Sequence, residues 1–317
     1  MKVINQSGGE NWTLYHGDTV DVARGLPDRS VDFSVFSPPF ASLYTYSSSA
    51  RDLGNVRNDT EFFAHYDYLI RETARVMRPG RLVAIHCMTM PTSKERDGYI
   101  GLRDFRGDII RAYQRHGFIF HSEVCIWKDP VTAMQRTKAL GLLHKTIRKD
   151  SAMSRQGLAD YVVVMRTPGT NDAPIAHTVE QFPIERWQRY ASAVWATRGP
   201  DDDEGFATIL GTNDPRDDSS TINPSDTLQY RSARENEDER HICPLQLGVI
   251  RRCIRLWTNP GDVVWSPFTG IGSEGYVAIQ EGRRFVGAEL KCSYYEQAAR
   301  NLAAARPPQS DLFTGLA

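Results

Sequence analysis

VVWSPFTGIGSEGYVAIQEGRRFVGAEL, residues 263–290, passes from a strand-like run into a turn holding two glycines, then a helix, then a second strand-like run closing on Glu289. Glycine takes positive φ at little steric cost and lets the backbone approach a ligand closely, so Gly270 and Gly272 mark a tight turn at the first strand's carboxyl end. A carboxylate closing the second strand is placed to accept both hydroxyls of a ribose, and the segment therefore predicts a nucleoside site at the edge of a parallel sheet. The letters GIGSEG also satisfy the GxGxxG spacing of a dinucleotide turn. Such a unit usually opens its fold, whereas here it lies near the end of the chain, which weighs against a nicotinamide cofactor.

Outward from this unit, strand-like and helix-like segments alternate, as in a mostly parallel sheet covered by helices. WTLYHGD (12–18), VDFSVFS (31–37), RLVAIHCM (81–88), FIFHSEVCIW (118–127) and ADYVVVMR (159–166) are strand-like. TVDVARGLP (19–27) reads as a short helix, 104–117 as another, and TEFFAHYDYLIRETARVMRPG (60–80) as an amphipathic helix with Thr60 as its N-cap and Pro79-Gly80 as its stop. LQLGVIRRCIRLW (245–257) and SYYEQAARNLAAA (293–305) are helices flanking the opening segment. The fold class expected is α/β, a doubly wound, mostly parallel, Rossmann-like sheet with an insert. That insert is 167–240, rich in Pro, Asp, Asn, Ser and Thr, with acidic runs at 201–204 and 235–239 and an aromatic cluster of Phe182, Trp187, Tyr190 and Trp195.

Bulk properties narrow the function classes. A chain of 317 residues with a formal net charge of −1 lacks a uniformly basic coat, though a local basic strip remains compatible with nucleic acid. Five cysteines are scattered without a CxxC pair, which argues for a reducing compartment and against structural zinc, so no metal is expected. Neither a signal-peptide core nor an apolar run of membrane-spanning length is present, and a soluble cytoplasmic protein is the expectation.

DFSVFSPPFASLYTY (32–46) runs an apolar strand straight into two prolines and an aromatic ring. Proline cannot donate to a sheet ladder, so the strand stops there and the following residues sit at its carboxyl edge. A lone Pro-Pro is usually a plain turn. Here a serine precedes it and a phenylalanine follows, in a chain that carries a nucleoside-type turn elsewhere. An exocyclic amine on a nucleobase is a poor nucleophile because its lone pair is delocalised into the ring. The Ser37 side-chain oxygen and the Pro38 carbonyl, stiffened by Pro39, are suited to accept both N–H bonds and favour a pyramidal nitrogen, while Phe40 stacks on an extruded base. Such chemistry needs no covalent nucleophile, and Cys87 and Cys243 read as core cysteines.

These blocks resemble the DNA amino-methyltransferases that use S-adenosylmethionine, in the arrangement that places the catalytic block before the cofactor block. LYHGDTVDVARGLPDRSVDFSVFSPPF (14–40) is similar to the family's opening segment, RVMRPGRLVAIH (75–86) to the block after it, HICPLQLGVIRRCIRLW (241–257) to the helix that helps hold the methionine end of the cofactor, and SPFTGIGSEG (266–275) to the FxGxG turn. The resemblance implies Ser37, Pro38, Pro39 and Phe40 as the catalytic tetrad. Phe268, Gly270 and Gly272 would shape the methionine pocket with Pro244 from the preceding helix block, Glu289 would hold the ribose and Asp18 the adenine amine. Ser266 departs from the pattern, since the family usually has an acid there that helps hold the cofactor's ammonium. A serine opening the tetrad leans towards N4-cytosine, with N6-adenine as the alternative, although a serine hydroxyl can accept from either amine.

The substrate implied is double-stranded DNA. MQRTKALGLLHKTIRKDSAMSR (134–155) gathers Arg136, Lys138, Lys145, Arg148, Lys149 and Arg155 against one acid, Asp150, as phosphate contacts would require. Tyr44 and Tyr46, in the polar loop after the tetrad, are placed to close over a flipped nucleotide. The domains expected are a catalytic half, 1–166, a target-recognition insert, 167–240, and a cofactor-binding half, 241–317. Dimerisation is common in families of this kind, and nothing in the sequence singles out a surface for it. A methyltransferase of the same fold acting on RNA or a protein amide, and a non-catalytic DNA-binding module, are the competing functions.

Overall fold

The computed structural model describes residues 3–39, 59–131, 134, 140–196, 222, 225–229, 233 and 245–307. In chain order the elements are β1 (Asn5–Gly9), β2 (Trp12–His16), α1 (Thr19–Gly25), β3 (Val31–Phe36), α2 (Asp59–Val76), β4 (Met77–Met88), β5 (Met90–Pro91), α3 (Lys94–Asp97), β6 (Leu102–Arg103), α4 (Phe105–Arg115), β7 (Ile119–Trp127), α5 (His144–Lys149), β8 (Asp160–Arg166), α6 (Ile184–Tyr190), β9 (Val194–Ala196), α7 (Leu247–Trp257), β10 (Val263–Ser266), α8 (Ser273–Gln280), β11 (Arg284–Glu289) and α9 (Cys292–Ala304). No helix among the described residues is long and apolar enough to cross a membrane.

Two compact units divide the chain: residues 1–83, 167–176 and 227–317 form the first, and 84–166 with 177–226 the second. Strand β4 runs out of the first unit and into the second. In the first unit the strand order is β1-β2-β11-β10-β3-β4. The neighbours β2, β11, β10 and β3 are mutually parallel, and β1 adds an antiparallel edge ribbon that the sequence pattern did not announce. All six residues of β3 are buried, the pattern of a parallel strand covered on both faces. Helix α2 buries Phe62, Tyr66, Leu69, Ile70 and Val76 at helical spacing.

In the second unit β4 is followed by β8, β7 and β9. Strand β7 pairs antiparallel with β8 and parallel with β9. Asp160 is buried there between His86, whose Nε2 lies 3.0 Å away, and the ammonium of Lys128. Burial pushes this carboxyl up, but the cationic Lys128 and the hydrogen bond with His86 outweigh it and hold the group at about 2.

Three local expectations are corrected. Helix α2 begins at Asp59, so Thr60 lies inside it and is not its N-cap. Pro79-Gly80 does not separate helix from strand: β4 already starts at Met77, and Gly80, at φ +71°, bonds through its N–H to the Pro168 carbonyl at 3.3 Å. Of the aromatic cluster, Tyr190 and Trp195 are buried and Phe182 meets Tyr190 edge-on at 5.3 Å, whereas Trp187 on α6 is exposed.

Candidate active site and cofactor cradle

Strands β10 and β3 lie side by side in parallel register, Val264 opposite Phe33 and Trp265 opposite Ser34, so their carboxyl ends open on the same edge. From β10 the chain continues to β11 on one side, and from β3 to β4 on the other. This is a topological switch point, where the diverging connections leave a crevice at the strand ends. The sequence puts Ser37, Pro38 and Pro39 after β3 and the glycine turn after β10, and the sheet makes them neighbours. Phe36, the last residue of β3, meets Phe268 of the turn with ring centroids 5.7 Å apart, and Tyr66 of α2 meets the same ring at 6.4 Å. Below them the Ser34 hydroxyl donates to the Trp265 carbonyl at 2.9 Å. Pro38 is buried, with Ser37 and Pro39 half-buried.

The turn is built as its glycines require. Gly270 has φ +53° and Gly272 φ +92°, and a Cβ at Gly270 would meet nothing within 4 Å, so the backbone there borders open space. At Gly272 a Cβ would press on Ala298 Cα at 3.2 Å, and at Gly275 it would collide with Phe285 and Leu302 at 2.5 Å. The first glycine thus faces the crevice, and the other two let α8 pack against α9 and β11. Leu228 and Ala233 close over Ile271 of the turn and Tyr294 of α9.

Glu289 ends β11, as the sequence requires. Its Oε2 accepts from the Gly270 N–H at 2.8 Å and its Oε1 from the Lys291 N–H at 2.8 Å, so the carboxylate ties the turn to the strand while each oxygen keeps acceptor capacity. Asp18 is the N-cap of α1, its Oδ1 accepting from the Val20 and Asp21 N–H groups at 2.9 and 3.1 Å. Both acids stand at carboxyl ends of strands adjacent to β10 or one further along.

Several buried polar groups at this edge lack protein partners. Ser266 Oγ and Ser273 Oγ, with Thr19 Oγ1 and Ser293 Oγ, make no hydrogen bond among the described residues. Orphaned buried hydroxyls are costly and call for an explanation. Four of them at the ends of β2, β10 and β11, beside a glycine that borders open space, fit a ligand bearing both donors and acceptors, as S-adenosylmethionine does. Sequence reasoning missed Ser273, Thr19, Ser293 and Glu274. The one visible signal was a glutamate in the apolar segment SEGYVAIQ.

Glu274 is buried in the first turn of α8. Desolvation raises its carboxyl to about 8, with a smaller push from Glu289 and an opposing hydrogen bond from its own backbone N–H. The folded protein therefore binds a proton there that the unfolded chain releases near the ordinary glutamate value. Where the folded state holds more protons, stability falls with rising pH, here between about 4.5 and about 8, and levels off above. Ligand-free protein should lose thermal stability across this window, and Glu274→Gln should remove that loss. Melts of both chains at pH 5, 6, 7 and 8 measure it.

The other predicted positions fall in two groups. Lys145, Arg148 and Lys149 are exposed on α5 of the second unit, and Arg155 of that unit is half-buried with one guanidinium N–H on the Gln156 carbonyl at 3.3 Å. Phe40, Tyr44, Tyr46, Arg136, Lys138 and Pro244 lie outside the described residues, as does Cys243. Burial pushes the Cys87 and Cys253 thiols far from ionisation, so neither is an activated nucleophile. Among the described residues no group of three or more His, Cys, Asp and Glu is arranged to hold a metal.

Comparison with known proteins gives the family and the fold. The profile of the N6/N4 methyltransferase family, described as DNA methylase, matches residues 31–300. The chain is similar to the Type II methyltransferase M.BglII of Bacillus subtilis, with 24% identity over 305 residues covering 96% of this chain and 72% of that protein. It shares its fold with TTHA0409 of Thermus thermophilus complexed with S-adenosyl-L-methionine (TM-score 0.62, 20% identity, 94% of this chain and 98% of that one). It also shares it with the cytosine-N4-specific PvuII DNA methyltransferase (TM-score 0.60, 14% identity, 95% and 90%). A profile spanning most of the chain, and a crevice that joins the two motif-bearing turns, place this chain in the N6/N4 DNA methylase family, whose methyl donor is S-adenosylmethionine.

Proposed function

We propose that the chain methylates the exocyclic amine of a base flipped out of double-stranded DNA, N4 of cytosine ahead of N6 of adenine. The observation carrying this reading is the contact of Phe36 with Phe268, which sets the start of the Ser-Pro-Pro segment against the glycine turn in one crevice. When bound, S-adenosylmethionine supplies an electrophilic methyl group on a sulfonium. Phe268, Gly270 and Gly272 would line the cofactor's path, Glu289 would accept from the ribose with its remaining lone pairs, and Asp18 would accept from the adenine amine with Oδ2. Ser266, and Pro244 ahead of α7, would border the methionine end.

The tetrad's task is electrostatic and geometric. Ser37 Oγ and the Pro38 carbonyl accept the two N–H bonds of the target amine, which favours a tetrahedral nitrogen with an available lone pair. Two consecutive prolines fix those acceptors before the base arrives, so little ordering is needed during the reaction. Phe40 stacks on the base, and Tyr44 and Tyr46 follow in the loop that would close over it. The methylated amine then sheds a proton to water. Serine at position 37, in place of Asp or Asn, is what leans the choice towards cytosine.

Outside the crevice, Arg136, Lys138, Lys145, Arg148, Lys149 and Arg155 would neutralise phosphates, and residues 167–240 would supply target recognition between the 1–166 and 241–317 halves. The test is transfer of labelled methyl from S-adenosylmethionine to duplex DNA, RNA and peptide in parallel, followed by nucleoside analysis. N4-methylcytosine from duplex DNA is expected. N6-methyladenine would reverse the choice of base, and label confined to RNA or peptide would reject the substrate class.

A further inference from the structure

We propose that Glu274 is the carboxylate that receives the α-ammonium of S-adenosylmethionine, in place of an acid at the end of β10. The inference rests on the proposed cofactor site. A buried ammonium needs an anion or a full set of acceptors, because leaving it unpaired in a dry pocket is prohibitive. Four acids of the first unit stand at the carboxyl ends of β2, β10 and β11 or in the first turn of the helix that follows: Asp18, Asp21, Glu274 and Glu289, of which Asp21 pairs with Arg24 at 3.6 Å. Asp18 is occupied in capping α1, and both oxygens of Glu289 hold backbone N–H groups. Glu274 takes a hydrogen bond from its own backbone N–H and, among the described residues, bonds no other element. It is 5% exposed and, among the described residues, makes no ion pair.

The residues that flank Glu274 point to a ligand independently. Ser266 closes β10 and Ser273 opens α8, and their hydroxyls, on residues 0% and 3% exposed, are without hydrogen-bond partners among the described residues. The stretch from the end of β10 to the start of α8 thus buries one carboxyl with no cation beside it and two hydroxyls without a hydrogen-bond partner among the described residues. The charged group that acts on Glu274 is Glu289 of β11, which repels it. Arg251 and Arg255 of α7, the nearest helix cations in sequence order, are engaged by Glu281 at the far end of α8. An incoming ammonium would supply the missing positive charge, and Glu274, neutral near pH 7 in the ligand-free protein, would ionise against it.

Calorimetry on the full chain tests this with two ligands, S-adenosylhomocysteine, which carries the ammonium, and 5′-methylthioadenosine, which lacks the whole amino-acid end. Glu274→Gln is expected to weaken S-adenosylhomocysteine by about 10- to 100-fold and leave 5′-methylthioadenosine unchanged. Equal loss for both ligands, or for neither, overturns the proposal. A second measurement needs no variant: titrations of the unaltered chain at pH 7 in two buffers of different ionisation enthalpy should show release of about one proton with S-adenosylhomocysteine and none with 5′-methylthioadenosine. Buffer-independent enthalpy for both ligands overturns it equally. If the unaltered chain binds neither ligand, the cofactor site itself is refuted, an outcome distinct from binding that ignores Glu274.

Discussion

Ser37→Ala should lower the single-turnover rate of methyl transfer by about 10²–10³-fold while leaving S-adenosylmethionine affinity unchanged. The magnitude is that of deleting one preorganised polar partner of a reacting group. Ser37 follows β3 directly, and its neighbour Phe36 packs against Phe268, so the backbone that carries the hydroxyl is set by the sheet and not by substrate. Loss of the hydroxyl therefore removes an acceptor without moving the backbone. Ser37→Asn, which returns a side-chain acceptor oxygen to this position one bond further out, should recover part of the rate. Rapid-quench measurement with labelled cofactor decides it, and an unchanged rate for Ser37→Ala would remove the residue from the reaction.

The parts of this site that were legible in the sequence are those fixed by backbone chemistry. Gly270 and Gly272 were readable because positive φ is cheap only for glycine, and both take it. The end of β3 was readable because proline terminates a ladder, and the strand stops at Phe36. Their adjacency was not local information. It follows from the order of strands, with β10 inserted between β11 and β3, and was reached only through the family resemblance.

What escaped depends on partners distant in the chain. Pro79-Gly80 looks like a stop, yet β4 begins before it because Thr167 and Pro168 supply hydrogen bonds to this stretch, the Thr167 hydroxyl accepting from the Arg81 N–H at 3.0 Å and donating to the Arg78 carbonyl at 2.8 Å. Tertiary pairing overrode the local signal. Glu274 escaped for another reason. A glycine pattern assigns meaning to its fixed positions and none to the residues between them, so a buried acid at a variable position carried no weight.

Arg81 should prove the most sensitive position for stability, although it stands at the opposite edge of the sheet from the chemistry. Only 1% exposed, it places one guanidinium nitrogen 3.0 Å from Asp262, just before β10, and another 3.4 Å from Asp32 near the amino end of β3. Asp32 is itself buried, and takes the Val263 N–H at 2.9 Å and the half-exposed Arg78 at 3.2 Å. This network joins the amino ends of the two strands whose carboxyl ends form the crevice. Arg81→Met would leave the Asp32 carboxylate buried beside a single peripheral cation, a change that costs about 3–5 kcal/mol, a large share of the roughly 5–15 kcal/mol that holds a domain folded. Removing the Asp32 charge as well, in Asp32→Asn with Arg81→Met, should recover part of that loss, because it neutralises the buried carboxylate that Arg81→Met leaves uncompensated, while Asp262 still lacks its cation. Thermal melts of the two single variants and the double variant complete the cycle. Cofactor affinity measured well below the melting temperature should stay at its unaltered value in all three, since the proposed cofactor site lies at the other end of β3 and β10.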